Sequence, residues 1–333
     1  MSTADVTVTS SRDRDNGPGR KRRLRLPKFI LAVPSWIWYL GLFIVPLVYI
    51  VVYSFGTKVQ GGAGAVDTSH FTLARYREVI YADPANHTGL FKSTFFDVLK
   101  QTLRTSIIGT ALCFVIGLPV AYFIAVKVPS RWRGVLLGLV IIPFWTNFLI
   151  RTIAWRIVLS PTGFFSNWFQ TIGLRHSRIQ ILNTRYAVQL GVVYNYLPLM
   201  IFPLFVALDR LEPALREASK DLGANRLRTF LQVTLPLASP GIVAGLLLVF
   251  IPLTGDYITA AVLGGAKGNM AGALVASQFL QAQNKALGSA VAVVLIIAIL
   301  LCISVAAIVT LAFTTILRRR RAITVREPGV ALA

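Results

Sequence analysis

The residues able to do acid–base, nucleophilic or metal chemistry are few in this 333-residue chain and lie apart. There are 13 carboxylates, three histidines and two cysteines. His70, His87 and His176 are scattered through polar segments, and none joins carboxylates at a helical spacing that could hold a metal. Cys113 and Cys302 fall inside apolar runs, where a free cysteine serves as a small packing residue. No nucleophile stands beside a base, and no G-x-x-x-x-G-K-[ST] phosphate loop occurs. The chain is therefore expected to recognise and pass a ligand, not to be an enzyme, and to hold no metal or cofactor of its own. Asp256 is the single charge in an otherwise apolar run. An aspartate inside a membrane helix costs roughly 2.5–3.5 kcal/mol on insertion scales, so it faces a cavity or a partner. Asp256 is thus a candidate for a solute pathway, for pairing with Arg151 or Arg156, or for the outer end of its helix. Tyr257 adjoins it. Trp145 and Asn147 in one run, and Tyr194, Asn195 and Tyr196 in another, supply aromatic faces and neutral acceptors. Each is a candidate either for lining a path or for hydrogen-bonding between helices.

Apolar runs must position these groups. The chain is 55% hydrophobic and only 14% charged, against about 25% charge in soluble domains. Six stretches approach the roughly 20 apolar residues that a helix needs to cross a bilayer. They are Val33 to Phe55, Ile107 to Val126, Gly134 to Ile150, Ala187 to Leu208, Ala238 to Leu263 and Ala286 to Leu317. None alternates with a period of two, so each is expected to be a helix rather than a barrel strand. The expected fold class is an all-α membrane protein with six transmembrane helices.

The net charge of +21 would suit nucleic acid, but the basic residues flank the apolar runs, and no nucleic-acid partner is expected. With the N-terminus inside, the inner segments hold 21 Lys and Arg and the longer outer segments hold 13, the positive-inside bias. Both termini are then cytoplasmic. The clusters Arg20 to Arg25 and Arg318 to Arg321 would meet anionic lipid headgroups. The first run is too long for a signal peptide and reads as a retained anchor in the cell membrane.

Three parts follow: a disordered basic tail over 1–28, a six-helix transmembrane bundle over 29–317, and a basic tail over 318–333. The large outer loop from Gly56 to Arg104 opens on the flexible Gly61 to Gly64 and then predicts short helices. Phe164, Phe165, Trp168, Phe169 and Ile172 share one helical face, suited either to the membrane surface or to packing on the bundle. Pro34, Pro46, Pro119, Pro143, Pro198, Pro203 and Pro252 would kink helices and free carbonyls.

The polar loop 209–237 reads as a helix, a glycine corner and a second helix. Pro213 suits a first turn. Leu215, Ala218, Ser219 and Leu222 fall on one face, with Arg216, Glu217, Lys220 and Asp221 as polar neighbours. Gly223 would end the helix in a left-handed conformation, and Asn225 would cap the next. Leu227, Phe230 and Leu231 give that second helix an apolar face, and Pro236 closes the unit. On pattern alone this is either an amphipathic loop resting on the membrane or a docking element.

The loop resembles the signature of permease subunits of ATP-binding-cassette importers: E-A-A, three residues, G, nine residues, I-x-L-P. Here it stands as Glu217-Ala218-Ser219, Gly223, then Val233-Thr234-Leu235-Pro236 at the same spacing. Phe71-Thr72-Leu73 with Tyr76, Pro143 to Thr152, and Gly255-Asp256-Tyr257 with Leu263-Gly264-Gly265 are similar to the first permease of spermidine/putrescine importers. The resemblance implies the type I importer permease fold. It implies a loop that fits a groove on an ATPase, with Glu217, Ala218, Ser219, Asp221, Leu222, Gly223, Leu235 and Pro236 as its contacts. It also implies a second permease chain, two ATP-binding subunits that hold ATP and magnesium, and an external binding protein. A polyamine is the implied solute, with another small solute on the same machinery as the alternative. A stand-alone transporter or channel, or a membrane enzyme, would leave the signature without a role.

Overall fold

The computed structural model describes residues 28–321, apart from 60–63, 84, 86–87, 173–179 and 266–267. The tails over 1–27 and 322–333 lie outside the described residues, as do Gly61 to Ala63, His87 and His176. The chain divides between Val48 and Tyr49 into two units. The first holds α1 (Lys28–Tyr39), a π-turn over Leu40–Ile44 and the beginning of α2 (Val45–Ser54). Its side chains from Trp36 to Leu40 are exposed.

The second unit is a helical bundle. After α2 come two small antiparallel ribbons separated by a helix. The first pairs β1 (Thr57–Lys58) with β2 (Val66–Asp67); α3 (Ala74–Ile80) follows; the second pairs β3 (Tyr81–Asp83) with β4 (Thr88–Leu90). The ribbons are absent from the sequence pattern because strands of two or three residues are too short to show alternation. Ser93 closes this segment. Its hydroxyl donates to the Val79 carbonyl and accepts from the Phe96 N–H at 3.1 Å, capping α4 (Thr94–Tyr122). A π-turn over Phe123–Lys127 carries α4 onward.

Next come α5 (Ser130–Trp145), α6 (Phe148–Val158), α7 (Phe164–Thr171) and α8 (Arg185–Asp209). The loop unit is α9 (Pro213–Asp221), α10 (Arg226–Thr229), a π-turn over Phe230–Thr234 and α11 (Leu235–Leu237). The chain ends in α12 (Ser239–Thr254), α13 (Ala271–Leu280) and α14 (Lys285–Arg321). The residues Arg318 to Arg321 thus extend the last helix instead of starting a tail.

Among the described residues, four helices are long and apolar enough to cross a membrane: Val33–Ser54, Thr94–Lys127, Arg185–Asp209 and Lys285–Ile308. Two bent pairs raise the number to six when each counts as one span. Ser130–Trp145 meets Phe148–Val158 at 85°, and Arg226–Leu237 meets Ser239–Thr254 at 68°. The third apolar run is therefore not one straight helix. It breaks at Thr146, just after Pro143, whose carbonyl accepts the Thr146 hydroxyl at 2.7 Å. The fifth run breaks at Gly255, after Pro252. Proline weakens the ladder that a straight span needs.

The core lies between α4, α8 and α12. Val192, Met200, Leu204, Leu208, Val249 and Leu253 are fully enclosed there. Small residues let the helices approach. A methyl group added at Gly109 would stand 3.0 Å from Leu253 Cδ1, and one at Gly245 would stand 3.1 Å from both Met200 Sδ and Pro203 Cγ. Cys113 is buried and free in this core, its thiol 3.7 Å from the Val193 carbonyl. Phe165 of α7 stacks on Trp155 of the bundle, while Phe164 and Trp168 are exposed.

Candidate functional site

Two constellations carry the sequence candidates. The first is the loop unit. Pro213 occupies the first turn of α9, and Gly223 ends it with φ +85°. The Gly223 N–H donates to the Lys220 carbonyl at 2.8 Å, and the Ala224 N–H to the Ser219 carbonyl at 3.1 Å. This is the paired bonding of a left-handed helix stop. Asn225 then accepts from the Arg228 N–H at 2.8 Å and caps α10. Ser219 and Thr229 hydroxyls, 3.1 Å apart, tie α9 to α10.

The expected apolar face is not buried within the chain. Leu222 is 89% exposed at the apex, and Glu217, Ala218 and Asp221 are exposed beside it. No atom lies within 4 Å of a methyl group added at Gly223. Leu235 is half-buried and Pro236 exposed at the bend into α12. Behind the corner lies a cavity of about 700 Å³ lined by Tyr122, Lys127, Arg216, Glu217, Lys220 and Phe230, among others. Arg216 Nη1 is buried there without a hydrogen-bond partner, a feature with no signal in the sequence. Asp209 does not belong to the loop unit. It accepts from Arg133 Nη1 at 2.6 Å and so joins the end of α8 to the start of α5. The sequence hides this pair because its members lie on separate elements.

The second constellation is a buried polar network where the broken helices meet. Arg151 is 7% exposed on α6. Its Nε donates to Asn195 Oδ1 at 2.8 Å and its Nη1 to the Pro143 carbonyl at 2.6 Å. Its guanidinium also lies 5.6–5.9 Å from the rings of Phe144, Phe148 and Tyr194. Asn195 donates from Nδ2 to Thr152 Oγ1 at 3.2 Å and Thr259 Oγ1 at 3.4 Å. Asp256 completes the chain of bonds. Its Oδ1 accepts the Thr259 N–H at 3.0 Å and its Oδ2 accepts the Thr259 hydroxyl at 2.5 Å. Among the described residues, no ion pair joins Asp256 to Arg151 or Arg156; Asn195 and Thr259 stand between the opposite charges. Arg156 instead donates to the Val262 carbonyl at 3.3 Å.

The other candidates are spread around this network. Asn147 caps α6 by accepting from the Leu149 N–H at 2.8 Å, and Trp145 beside it is 87% exposed. Tyr194 meets Trp155 edge-on at 5.2 Å, and Tyr257 is exposed. Thr152 and Thr259 were not singled out in the sequence. For Thr259 a signal exists: an aspartate three residues before a threonine at a helix start forms a local cap. Among the described residues no group of three or more His, Cys, Asp or Glu could hold a metal.

Residues 117–322 match the family described as binding-protein-dependent transport system inner membrane component. The spermidine/putrescine transport system permease protein PotB of Haemophilus influenzae is 38% identical over 271 residues, spanning 80% of this chain and 88% of that protein. Its namesake in Escherichia coli is 40% identical over 212 residues, spanning 64% of this chain and 77% of its own. A solved bacterial ABC transporter that imports the acidic polysaccharide alginate contains a chain of the same fold. The two agree with a TM-score of 0.68 at 17% identity, over 89% of this chain and 96% of that one.

Proposed function

Because the chain belongs to the binding-protein-dependent transport system inner membrane components, and is a permease subunit of that family, we propose that it moves a polyamine such as spermidine or putrescine inward under the drive of a separate ATPase. The substrate class rests on the likeness to the PotB proteins. The coupling rests on one observation above others: a rigid helix–glycine–helix corner whose apex, Leu222, is a large apolar side chain left in the open. A side chain of that kind at a loop tip is suited to a protein groove.

In this reading two ATP-binding subunits grip the corners of two permease chains, this one and a second of different sequence. ATP and magnesium belong to those subunits. A binding protein delivers the solute on the opposite side of the membrane. Both termini face the cytoplasm, the bundle over 29–317 forms half of the pathway, and the basic ends rest against anionic lipid. Closing of the ATPases moves α9 and α10, and the Ser219–Thr229 pair carries that motion through Leu235 and Pro236 into the bend at Ala238. Along the path Trp145, Asn147, Tyr194, Asn195, Asp256 and Tyr257 offer aromatic faces and neutral or anionic acceptors, as a flexible polycation requires.

Uptake of labelled putrescine and spermidine in a strain lacking this chain tests the substrate. Loss of both is the expected result; unchanged uptake of both alongside loss of another solute overturns the polyamine reading. Affinity purification tests the coupling. An ATPase should accompany the wild-type chain and be lost from Glu217→Arg and Gly223→Pro. Transport by the purified chain alone, without ATP, would refute it.

A further inference from the structure

Two cavities lie along the seam between α4 and α8. The first, about 420 Å³, is lined by Gln101, Arg104, Thr105 and Arg185, among others. The second, about 450 Å³, runs along Leu112, Leu190, Val193, Tyr194 and Leu197, among others. Tyr186 and Gln189 line both, so the two adjoin end to end along the α4–α8 groove.

The helices run side by side in the same direction. Gly109 faces Gln189 and Val192, and Cys113 meets the Val193 carbonyl. At about 1.5 Å per residue, Arg104 and Arg185 therefore stand at one level, roughly 6–8 Å from the Gly109–Gln189 contact and toward the helix starts. That level is where the apolar part of α4 begins and where α8 itself begins. The groove is thus cationic at the membrane edge and aliphatic toward the middle.

Its chemistry is graded in the same sense. The rim carries two guanidinium groups with amide and hydroxyl donors, and no carboxylate is among its described lining residues. Guanidinium recognises phosphate oxygens through paired hydrogen bonds. Tyr186, 81% exposed, stands at the rim, where aromatic residues meet headgroups. At the boundary between the two halves Gln189 Nε2 is buried without a hydrogen-bond partner. The lower half offers aliphatic walls with Trp155 at the side. A polycation is repelled by this rim, so the proposed solute does not fit it, although Tyr194 in the lower half also stands among the path candidates. Acidic side chains of a protein partner would match the rim but leave the aliphatic half empty.

We propose that the α4–α8 groove holds one anionic phospholipid, its phosphate on Arg104 and Arg185 and one acyl chain along Leu112, Val193 and Leu197. The site rests on the membrane-spanning reading and is independent of the solute and of the ATPase.

The test uses the full chain, purified with its partner subunits in mild detergent, and native mass spectrometry after addition of phosphatidylglycerol or phosphatidylcholine. Phosphatidylglycerol should be retained about tenfold better, a difference of about 1.4 kcal/mol. The double variant Arg104→Gln with Arg185→Gln should lose most of that preference, and Arg104→Lys with Arg185→Lys should keep part of it. The basic termini are the same in all forms, so the difference between them reports the groove. Leu112→Trp fills the aliphatic half with both arginines in place, and should lower phosphatidylglycerol retention by itself. That arm decides the matter if the glutamine variant fails to fold. Equal retention by wild type and both groove variants overturns the proposal. Displacement of the lipid by inorganic phosphate also overturns it, in favour of a small-anion site. So does unchanged retention combined with lost stimulation of ATP hydrolysis by the binding protein, which would mark the rim as a protein contact.

Discussion

Asp256 has a structural role and a proposed role on the solute path, which one substitution can separate. Its carboxylate caps the turn beginning at Tyr257 through both bonds to Thr259, and its charge is the acceptor that a polycation would seek. Asp256→Asn retains a capping oxygen and removes the charge. Thermal unfolding of the purified chain should then be nearly unchanged while polyamine uptake falls. Asp256→Ala removes the cap as well, and should cost about 0.5–2 kcal/mol more in stability. Wild-type uptake by the asparagine variant would leave Asp256 a purely structural role. Asn195 is the hinge of the same network, fully buried and bonded on both sides. Asn195→Ala strands Arg151 Nε, and a buried donor left unsatisfied costs about 1–3 kcal/mol, more for a charged group. A clear drop in melting temperature is expected; a melt identical to wild type would mean that water takes over the amide's bonds.

The corner at Gly223 works through backbone geometry rather than packing. Its φ of +85° is a conformation that side chains resist, and the space around it is open. Gly223→Ala should therefore cost about 1–2 kcal/mol of local strain without a clash. Because the corner is a small exposed unit, the loss should show in ATPase co-purification more than in the melt of the bundle. Gly223→Asn, which tolerates the left-handed region, should bind the ATPase better than Gly223→Ala. The reverse order would show that side-chain bulk, not φ, governs docking. The corner was legible in the sequence because caps and stops are local: Pro213, Gly223 and Asn225 each act within a few residues. The breaks in the third and fifth runs were only half legible. Pro143 and Pro252 marked weak ladders, but the 85° angle at Thr146, like the 68° bend at Ala238 where the loop unit enters α12, depends on what the two arms pack against.

For the whole molecule, the approach of α4, α8 and α12 sets both constellations. Gly245 lets α12 lie against Met200 and Pro203 of α8. Gly245→Leu overfills that contact, and overpacking costs about 1–3 kcal/mol. It should lower the melting temperature and slow uptake together, since α12 continues directly from the loop unit and α8 carries Asn195. A variant with a lower melt and full uptake would uncouple the two.

By itself the sequence determined the membrane class of the protein, the six apolar runs and the helix–glycine–helix corner. These follow from composition, the helical period and backbone preferences, all of which act over a few residues. The type of machine came from the resemblance of the corner and its companion motifs to importer permeases. Only the tertiary structure decided which partners the polar groups take. Asp209 turns to Arg133, Asp256 reaches Arg151 only through Thr259 and Asn195, and Arg104 and Arg185 arrive at one level on neighbouring helices. A buried polar group bonds to whatever lies across the helix interface, and that neighbour is fixed by packing between residues far apart in the chain.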